Sequence, residues 1–359
     1  MKKVLMIIYC ALFLIPCAFF SLGMLIPGAA DAAEGAEMPH LLTDPPYITI
    51  NSDFGDEFEE YFSKSFAYRN KVVDAFSTLK TEIFYEGNDQ VIVGRDDFLF
   101  FAETLDSYTG EDAMTDDEIN AAADSLLNLY EYSREHGVDF LFICAPNKNS
   151  IYPEMMPSRY IMKTEGRDFD RLTHALDERD VPYIDLRDTL TAKKDGQLVY
   201  HKRDTHWNTE GARIAVEAIA DTLSMTIPDY SAYGPASVAN FVGDLDTLLF
   251  PEKKMYDDNT AYDLSELFIY TSAYNTPMDM QITTRGASEG KLLMFRDSFA
   301  NAMIPFLASS FSETRFERAV PYRVDLLETY AADTVIVEIA ERNLRTLIGC
   351  DERITNTQN

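Results

Sequence analysis

Ser298 in Arg296-Asp297-Ser298-Phe299, and Asp204 with His206 in Arg203-Asp204-Thr205-His206-Trp207, are the side chains whose types can do chemistry together. A serine hydroxyl is a weak nucleophile until a base takes its proton. Histidine suits that task because its unperturbed pKa lies near neutrality. A carboxylate on the other imidazole nitrogen fixes the tautomer and stabilises the imidazolium. Asp204 and His206 are two residues apart, so in an extended segment their side chains diverge and pairing requires a turn. In such a turn Asp204 reaches Nδ1 while Nε2 faces Ser298, and the Ser298 backbone N–H is a candidate oxyanion donor. The same residues also have a purely structural reading. In it Asp204 caps, His206 packs on Trp207, and Ser298 is an ordinary helix N-cap. Of the five histidines only His201 and His206 share a loop. One Asp-x-His does not supply three convergent metal ligands, so neither a metal nor another cofactor is expected.

The elements around these residues give them a place. Residues 292–295 read as a short buried strand that ends in polar residues, and residues 299–307 as a mostly apolar helical segment. Ser298 then stands at the carboxyl end of a strand, where open α/β sheets carry their sites. Residues 140–145 are continuously apolar, as in a strand buried on both faces, and end at Pro146-Asn147-Lys148. Asn147 and Lys148 are therefore candidates to line the cleft. Further strands are predicted at 181–184, 198–200, 267–270, 315–319 and 334–337. Helices are predicted from about 115, then at 168–179, 209–223, 324–330 and 343–348, and residues 91–101 read as a hairpin. This alternation predicts an α/β fold, a three-layer sandwich around a central, mostly parallel sheet. Residues 224–266 carry little periodicity and read as an inserted loop region, able to cover the site.

The chain has 359 residues and a formal net charge of -29. That balance argues against nucleic acid, which needs a basic footprint, and against electrostatic docking on anionic lipid. Lys2 and Lys3 precede an apolar run that continues to about Ile26, followed by small residues. Residues 1–33 thus read as a cleaved signal peptide or an uncleaved anchor. Both put the body outside the cytoplasm, with membrane contact only through this segment. A spacer at 34–53, an N-terminal helical element at 54–88 and a main domain at 89–350 complete the expected organisation. Cys10 and Cys17 lie in the export segment, and Cys144 and Cys350 remain, with one bridge or two core thiols both open.

Taken together, Asp204-Thr205-His206-Trp207-Asn208, Arg296-Asp297-Ser298-Phe299, Val93-Gly94-Arg95-Asp96-Asp97-Phe98 and Ala145-Pro146-Asn147-Lys148 resemble the bacterial DHHW proteins. They also resemble the related SGNH hydrolase-like domain of the alginate O-acetylation proteins. The resemblance runs from about residue 54 to 348. It implies Ser298 as nucleophile, His206 as general base and Asp204 as its partner. It further implies an exported carbohydrate O-acetyltransferase or acetylesterase, working through an acetyl-serine on cell-envelope or extracellular polysaccharide. A polysaccharide or acetylated glycan is the implied partner, with a membrane-bound acetyl-donor protein as a further candidate. The Asp-His loop precedes the serine segment, the reverse of ordinary SGNH esterases, and this chain has that reversed order. It differs from the family at Thr205, where the motif has a second histidine, and at Arg296, where the residue before Asp-Ser is usually glycine. A glycine there allows close packing or an unusual backbone angle. Arg296 is instead a candidate to hold an anionic sugar. The competing expectation is a catalytically idle glycan-binding or envelope-assembly protein on the same scaffold.

Overall fold

Residues 292–295 and 335–337 are apolar without interruption because both faces of each strand are covered. In the computed structural model, which describes residues 52–57, 69–274 and 276–355, alternate side chains of these runs enter two separate cores. Leu292, Met294 and Ile336 pack in one, and Leu293, Phe295, Val335 and Val337 in the other. The chain divides into two units, one of Met1–Glu82 with Phe250–Lys253 and one of Ile83–Leu249 with Lys254–Asn359. Of the first unit, the Arg69–Leu79 helix is described. The export segment, the spacer up to residue 51 and residues 58–68 of the expected N-terminal element lie outside the described residues. No helix among the described residues is long and apolar enough to cross a membrane.

The second unit holds the strands β1 (Val91–Val93), β2 (Leu99–Phe101), β3 (Asp139–Ala145), β4 (Tyr183–Asp185), β5 (Ala236–Phe241), β6 (Asp257–Ala261), β7 (Phe268–Tyr270), β8 (Gln281–Gly286), β9 (Lys291–Phe295), β10 (Glu313–Glu317) and β11 (Thr334–Ala340). Seven of them form one sheet in the order β4-β3-β11-β9-β10-β8-β7. The first five in that order run parallel, and β8 and β7 extend the sheet antiparallel. One face is covered by the Thr209–Thr222 and Ile304–Ser310 helices, the other by the Asp116–Glu135 and Asp168–Asp177 helices. The Asp116–Glu135 helix begins with a capping box, Thr115 with Glu118, as its sequence suggests. This is the expected three-layer α/β architecture with a central, mostly parallel sheet.

Several element limits differ from the sequence expectation. Residues 198–200 form no strand; a single antiparallel bridge joins Tyr200 to Trp207. The segment after Ser298 is a 3-10 turn, Phe299–Ala302, before the Ile304–Ser310 helix, because Pro305 suits only a first helical turn. The region 224–266 is not plain loop. It contains the antiparallel pair β5-β6 and the Asp244–Leu249 helix. Cys144 and Cys350 are both buried free thiols.

Candidate active site

The parallel strands β3, β9 and β11 deliver Asn147, Ser298 and Glu341 just beyond their carboxyl ends, on one side of the sheet. Ser298 leaves β9 through Arg296 and Asp297 and starts the Phe299–Ala302 turn at φ -75 and ψ -20, an ordinary right-handed conformation. Its N–H meets no protein acceptor among the described residues. Asp297 fixes this turn. Its carboxylate accepts the N–H of Phe299 at 2.8 Å, the N–H of Ala340 at 2.7 Å and the Asn343 amide at 3.1 Å. The nucleophile turn is thereby tied to the end of β11.

The Tyr200–Trp207 bridge closes residues 201–206 into the turn that the Asp-His pair requires. Inside it, Asp204 Oδ1 accepts both the His206 backbone N–H at 2.8 Å and His206 Nδ1–H at 2.7 Å. With Nδ1 protonated toward Asp204, the Nε2 lone pair faces Ser298 Oγ at 2.8 Å. The two segments are also fastened directly. Trp207, buried at 1% exposure, donates its indole N–H to the Phe299 carbonyl at 2.8 Å. Phe299 in turn packs its ring 4.8 Å from the His206 ring. The structure thus brings Ser298, His206 and Asp204 together, as the sequence reading expected.

Asp244 is a participant that the sequence did not single out. Its backbone N–H donates to Asp204 Oδ2 at 2.7 Å, and its carboxylate accepts the Thr205 N–H at 2.8 Å and hydroxyl at 2.5 Å. Thr205 Oγ1 lies 3.0 Å from His206 Nδ1, so Thr205 connects the two carboxylates across the imidazole. Burial would raise the Asp204 carboxyl, but the His206 hydrogen bond and charge, with the Asp244 and His206 backbone N–H groups, hold it well below the usual carboxylate range. Asp244 is pushed the other way, first by burial and then by the charge of Asp204. Asp204, His206 and Asp244 lie close enough to suggest a cation cluster. Their facing atoms are already engaged with one another, which favours the hydrogen-bonded reading.

The Asp244 loop can reach this position only because residue 243 is glycine. A Cβ there would stand 2.0 Å from the Arg203 carbonyl oxygen and 2.9 Å from the Asp204 nitrogen. Gly243→Ala is expected to cost about 1–3 kcal/mol of stability and to lower kcat about tenfold with little change in KM. Urea unfolding and steady-state kinetics on an activated acetyl ester measure both. Wild-type values in both would mean that the two loops are not held in register by this contact.

The expected cleft residues differ from one another. Asn147 is 1% exposed, its N–H is held by Glu341 at 2.8 Å, and both polar atoms of its side chain lack a partner. Lys148 is 4% exposed and donates to the carbonyls of His201 at 3.1 Å, Lys202 at 2.9 Å and Asp204 at 2.5 Å. Arg296 is 3% exposed and donates to Asn301 at 2.6 Å and to the carbonyls of Pro277, Asp279 and Asp297. Lys148 and Arg296, expected to line the cleft and to hold an anionic sugar, are thus both buried side chains. Lys148 is enclosed by backbone carbonyls, and Arg296 by three backbone carbonyls and the Asn301 side chain, with its Nε left without a partner. Neither Arg296 nor Ser298 has a positive φ, so the backbone here does not demand glycine. Arg342, just past β11, was not anticipated. Its guanidinium lies over Phe299 at 5.2 Å and Phe101 at 5.7 Å, and it forms no hydrogen bond or ion pair among the described residues.

A family model described as the SGNH hydrolase-like domain of the acetyltransferase AlgX matches residues 91–254. The match includes Asp204, His206 and Asp244 and stops before Ser298. A probable alginate O-acetylase AlgJ of Pseudomonas putida is 22% identical over 178 residues, covering 49% of this chain and 44% of the relative. The corresponding Pseudomonas fluorescens protein is 25% identical over 189 residues, covering 52% of this chain and 46% of the relative. The chain spans about half the length of the curated relatives it matches. Among solved structures, a DHHW family protein from Eubacterium siraeum superposes with a TM-score of 0.52 at 17% identity, over 64% of this chain and 88% of the other. Bacillus cereus PatB1 carrying a sulfonyl adduct gives 0.54 at 17% identity, over 72% of this chain and 97% of the other. These two likenesses show the shared fold.

Proposed function

We propose, on the premise that this chain is related to the SGNH hydrolase-like, DHHW and alginate O-acetylation proteins, that it is a serine-dependent acetyltransferase or acetylesterase acting on an extracytoplasmic glycan. The observation that carries the reading is the continuous line from Asp204 through His206 to Ser298, with contacts of 2.7 Å and 2.8 Å. The acetylase names of the AlgJ relatives support an acetyl group as the transferred unit.

In this reading His206 Nε2 takes the Ser298 hydroxyl proton as Oγ attacks the acetyl carbonyl. The carbonyl electrons move to oxygen, and the Ser298 N–H is placed to receive that charge. When they return, the bond to the donor alcohol breaks and His206 gives its proton to the departing oxygen. Acetyl-Ser298 remains. Water or a sugar hydroxyl then attacks it, giving its proton to His206, and Ser298 recovers that proton as it leaves. Water completes esterase chemistry and a sugar hydroxyl completes transfer. Ser298 and His206 are half-buried, accessible to such an acceptor. Asn147, with bonding capacity left, and Arg342, at the Phe299 wall, are the proposed substrate contacts. Lys148 and Arg296 are proposed to shape the loops around them.

Intact-protein mass spectrometry with an activated acetyl ester, and separately with a sulfonyl fluoride, tests the reading. One acetyl or sulfonyl group is expected, mapped to Ser298 and absent in Ser298→Ala. Saturable glycan binding with no adduct under either reagent would favour the idle scaffold. Acetyl release compared with transfer across a panel of polysaccharides separates the two enzymatic outcomes.

A further inference from the structure

Glu338 lies on β11 with no solvent exposure, a carboxyl group that the acetyl chemistry above does not use. Its Oε2 accepts the N–H of Asp297, the residue before the nucleophile, at 3.1 Å, and its Oε1 has no partner. The two carboxyls here have opposite surroundings. Asp297 receives three N–H donors, which suits a carboxylate. Glu338 receives one, in a position where a charge with an unsatisfied oxygen is costly. A neighbouring anion and a dry site both favour the neutral acid. Burial, and then the charge of Asp297, push the Glu338 carboxyl far above the ordinary range; the Arg296 guanidinium opposes this without overcoming it. The other ionisable groups that sense Glu338 are the Cys144 thiol on β3 and the Tyr322 hydroxyl, both buried and themselves pushed upward, first by burial.

We propose that Glu338 is a positioning residue for the nucleophile turn, a neutral carboxyl beneath Asp297 whose ionisation displaces Asp297 and with it Ser298. The catalytic part of this statement rests on the proposed role of Ser298; the protonation part does not. Their tests are therefore separable.

The first measurement needs no activity. A carboxyl whose folded pKa lies above its unfolded value adds stability at low pH, and loses it as pH rises from the ordinary carboxylate value of about 4.3 through the folded value. Relative to Glu338→Gln, the wild type is expected to lose thermal stability steadily as the pH rises above about 5. Parallel melting curves across that range would overturn the proposal, whatever the protein's activity. The second measurement is the rate of Ser298 acylation. Glu338→Gln, neutral and isosteric, is expected to stay within about threefold of wild type near pH 6 and to hold its rate at alkaline pH where the wild type declines. Glu338→Leu is expected to lose about 10² in rate, because the Asp297 N–H loses its acceptor. Glutamine as damaging as leucine, or a wild-type alkaline decline retained in Glu338→Gln, would also overturn it. Absence of any adduct in wild type alone would count against the serine mechanism and leave the melting comparison to decide on Glu338.

Discussion

Ser298→Ala and His206→Ala are each expected to lower acetyl-ester turnover by about 10⁴-fold or more, and Asp204→Asn by nearly as much. The three act as one unit, so the triple variant should be scarcely slower than either of the first two. Asp204→Asn tests the network most closely. Its carboxylate accepts Nδ1–H and the N–H groups of His206 and Asp244. An amide there can present its NH₂ to Nδ1 and turn the imidazole to the wrong tautomer. It also alters stability with a defined sign. The folded pKa of Asp204 is depressed, so its contribution is present above the unfolded value of about 3.9 and is lost as pH falls through the folded value. The variant should therefore show a shallower loss of stability on acidification. Steady-state kinetics and pH-dependent urea unfolding measure the two effects. Wild-type turnover in Ser298→Ala with the fold intact would rule out the serine mechanism.

The parts of the fold that could be read from sequence are those whose environment is uniform along the chain. β3, β9 and β11 are buried on both faces, so each carries a continuous apolar run, residues 140–145, 292–295 and 335–337. Ser298 and the Asp-His pair were legible for the same reason, as polar residues placed abruptly after or ahead of regular elements. Asp244 was not. Its part is a backbone N–H and a carboxylate presented across a tertiary contact, and nothing in Gly243-Asp244 distinguishes it from an ordinary turn. The clash a Cβ would make at Gly243 exists only once the two loops meet. β5, β6 and β8 escaped because their sequences are mostly polar; on β8 the buried face is formed by Ile282 with Thr284, so its alternation is not one of apolar and polar residues. The burial of Lys148 and Arg296 was not legible because long cations ordinarily keep their charge in water. Here the Lys148 ammonium and the terminal nitrogens of Arg296 meet carbonyl oxygens instead.

Lys148→Met is expected to lower kcat by about 10²-fold with KM little changed. The ammonium group joins the carbonyls of His201, Lys202 and Asp204, which span the acid–base loop. It is flanked by the rings of Phe100 at 5.4 Å and Phe98 at 6.0 Å. Methionine fills similar space but removes this donor; the Lys202 carbonyl keeps the Leu99 N–H at 2.8 Å, whereas the His201 and Asp204 carbonyls lose the contact. Each buried, unsatisfied acceptor costs about 1–3 kcal/mol, and the loop can recover part of that only by moving toward water. Such movement displaces His206 from Ser298, which affects kcat before it affects binding. The pH dependence has the same sign as that of Asp204, because both groups have a folded pKa below the unfolded one, but it falls in a higher pH range. Burial lowers the Lys148 pKa to about 7, against the pull of Asp204, Asp244 and Asp257 and with a smaller push from Arg203. Below that value the lysine is charged in both folded and unfolded chains, and the cost of burying the charge is fully present. Between it and the unfolded value of about 10.4 the unfolded chain binds more protons, so stability rises with pH. The stability of wild type relative to Lys148→Met should therefore increase from about pH 7 to about pH 10, read from urea midpoints at constant ionic strength. A constant difference would mean that the amine keeps its proton throughout, held by the three carbonyls more strongly than burial opposes it. An unchanged kcat would mean that the loop keeps its shape without them.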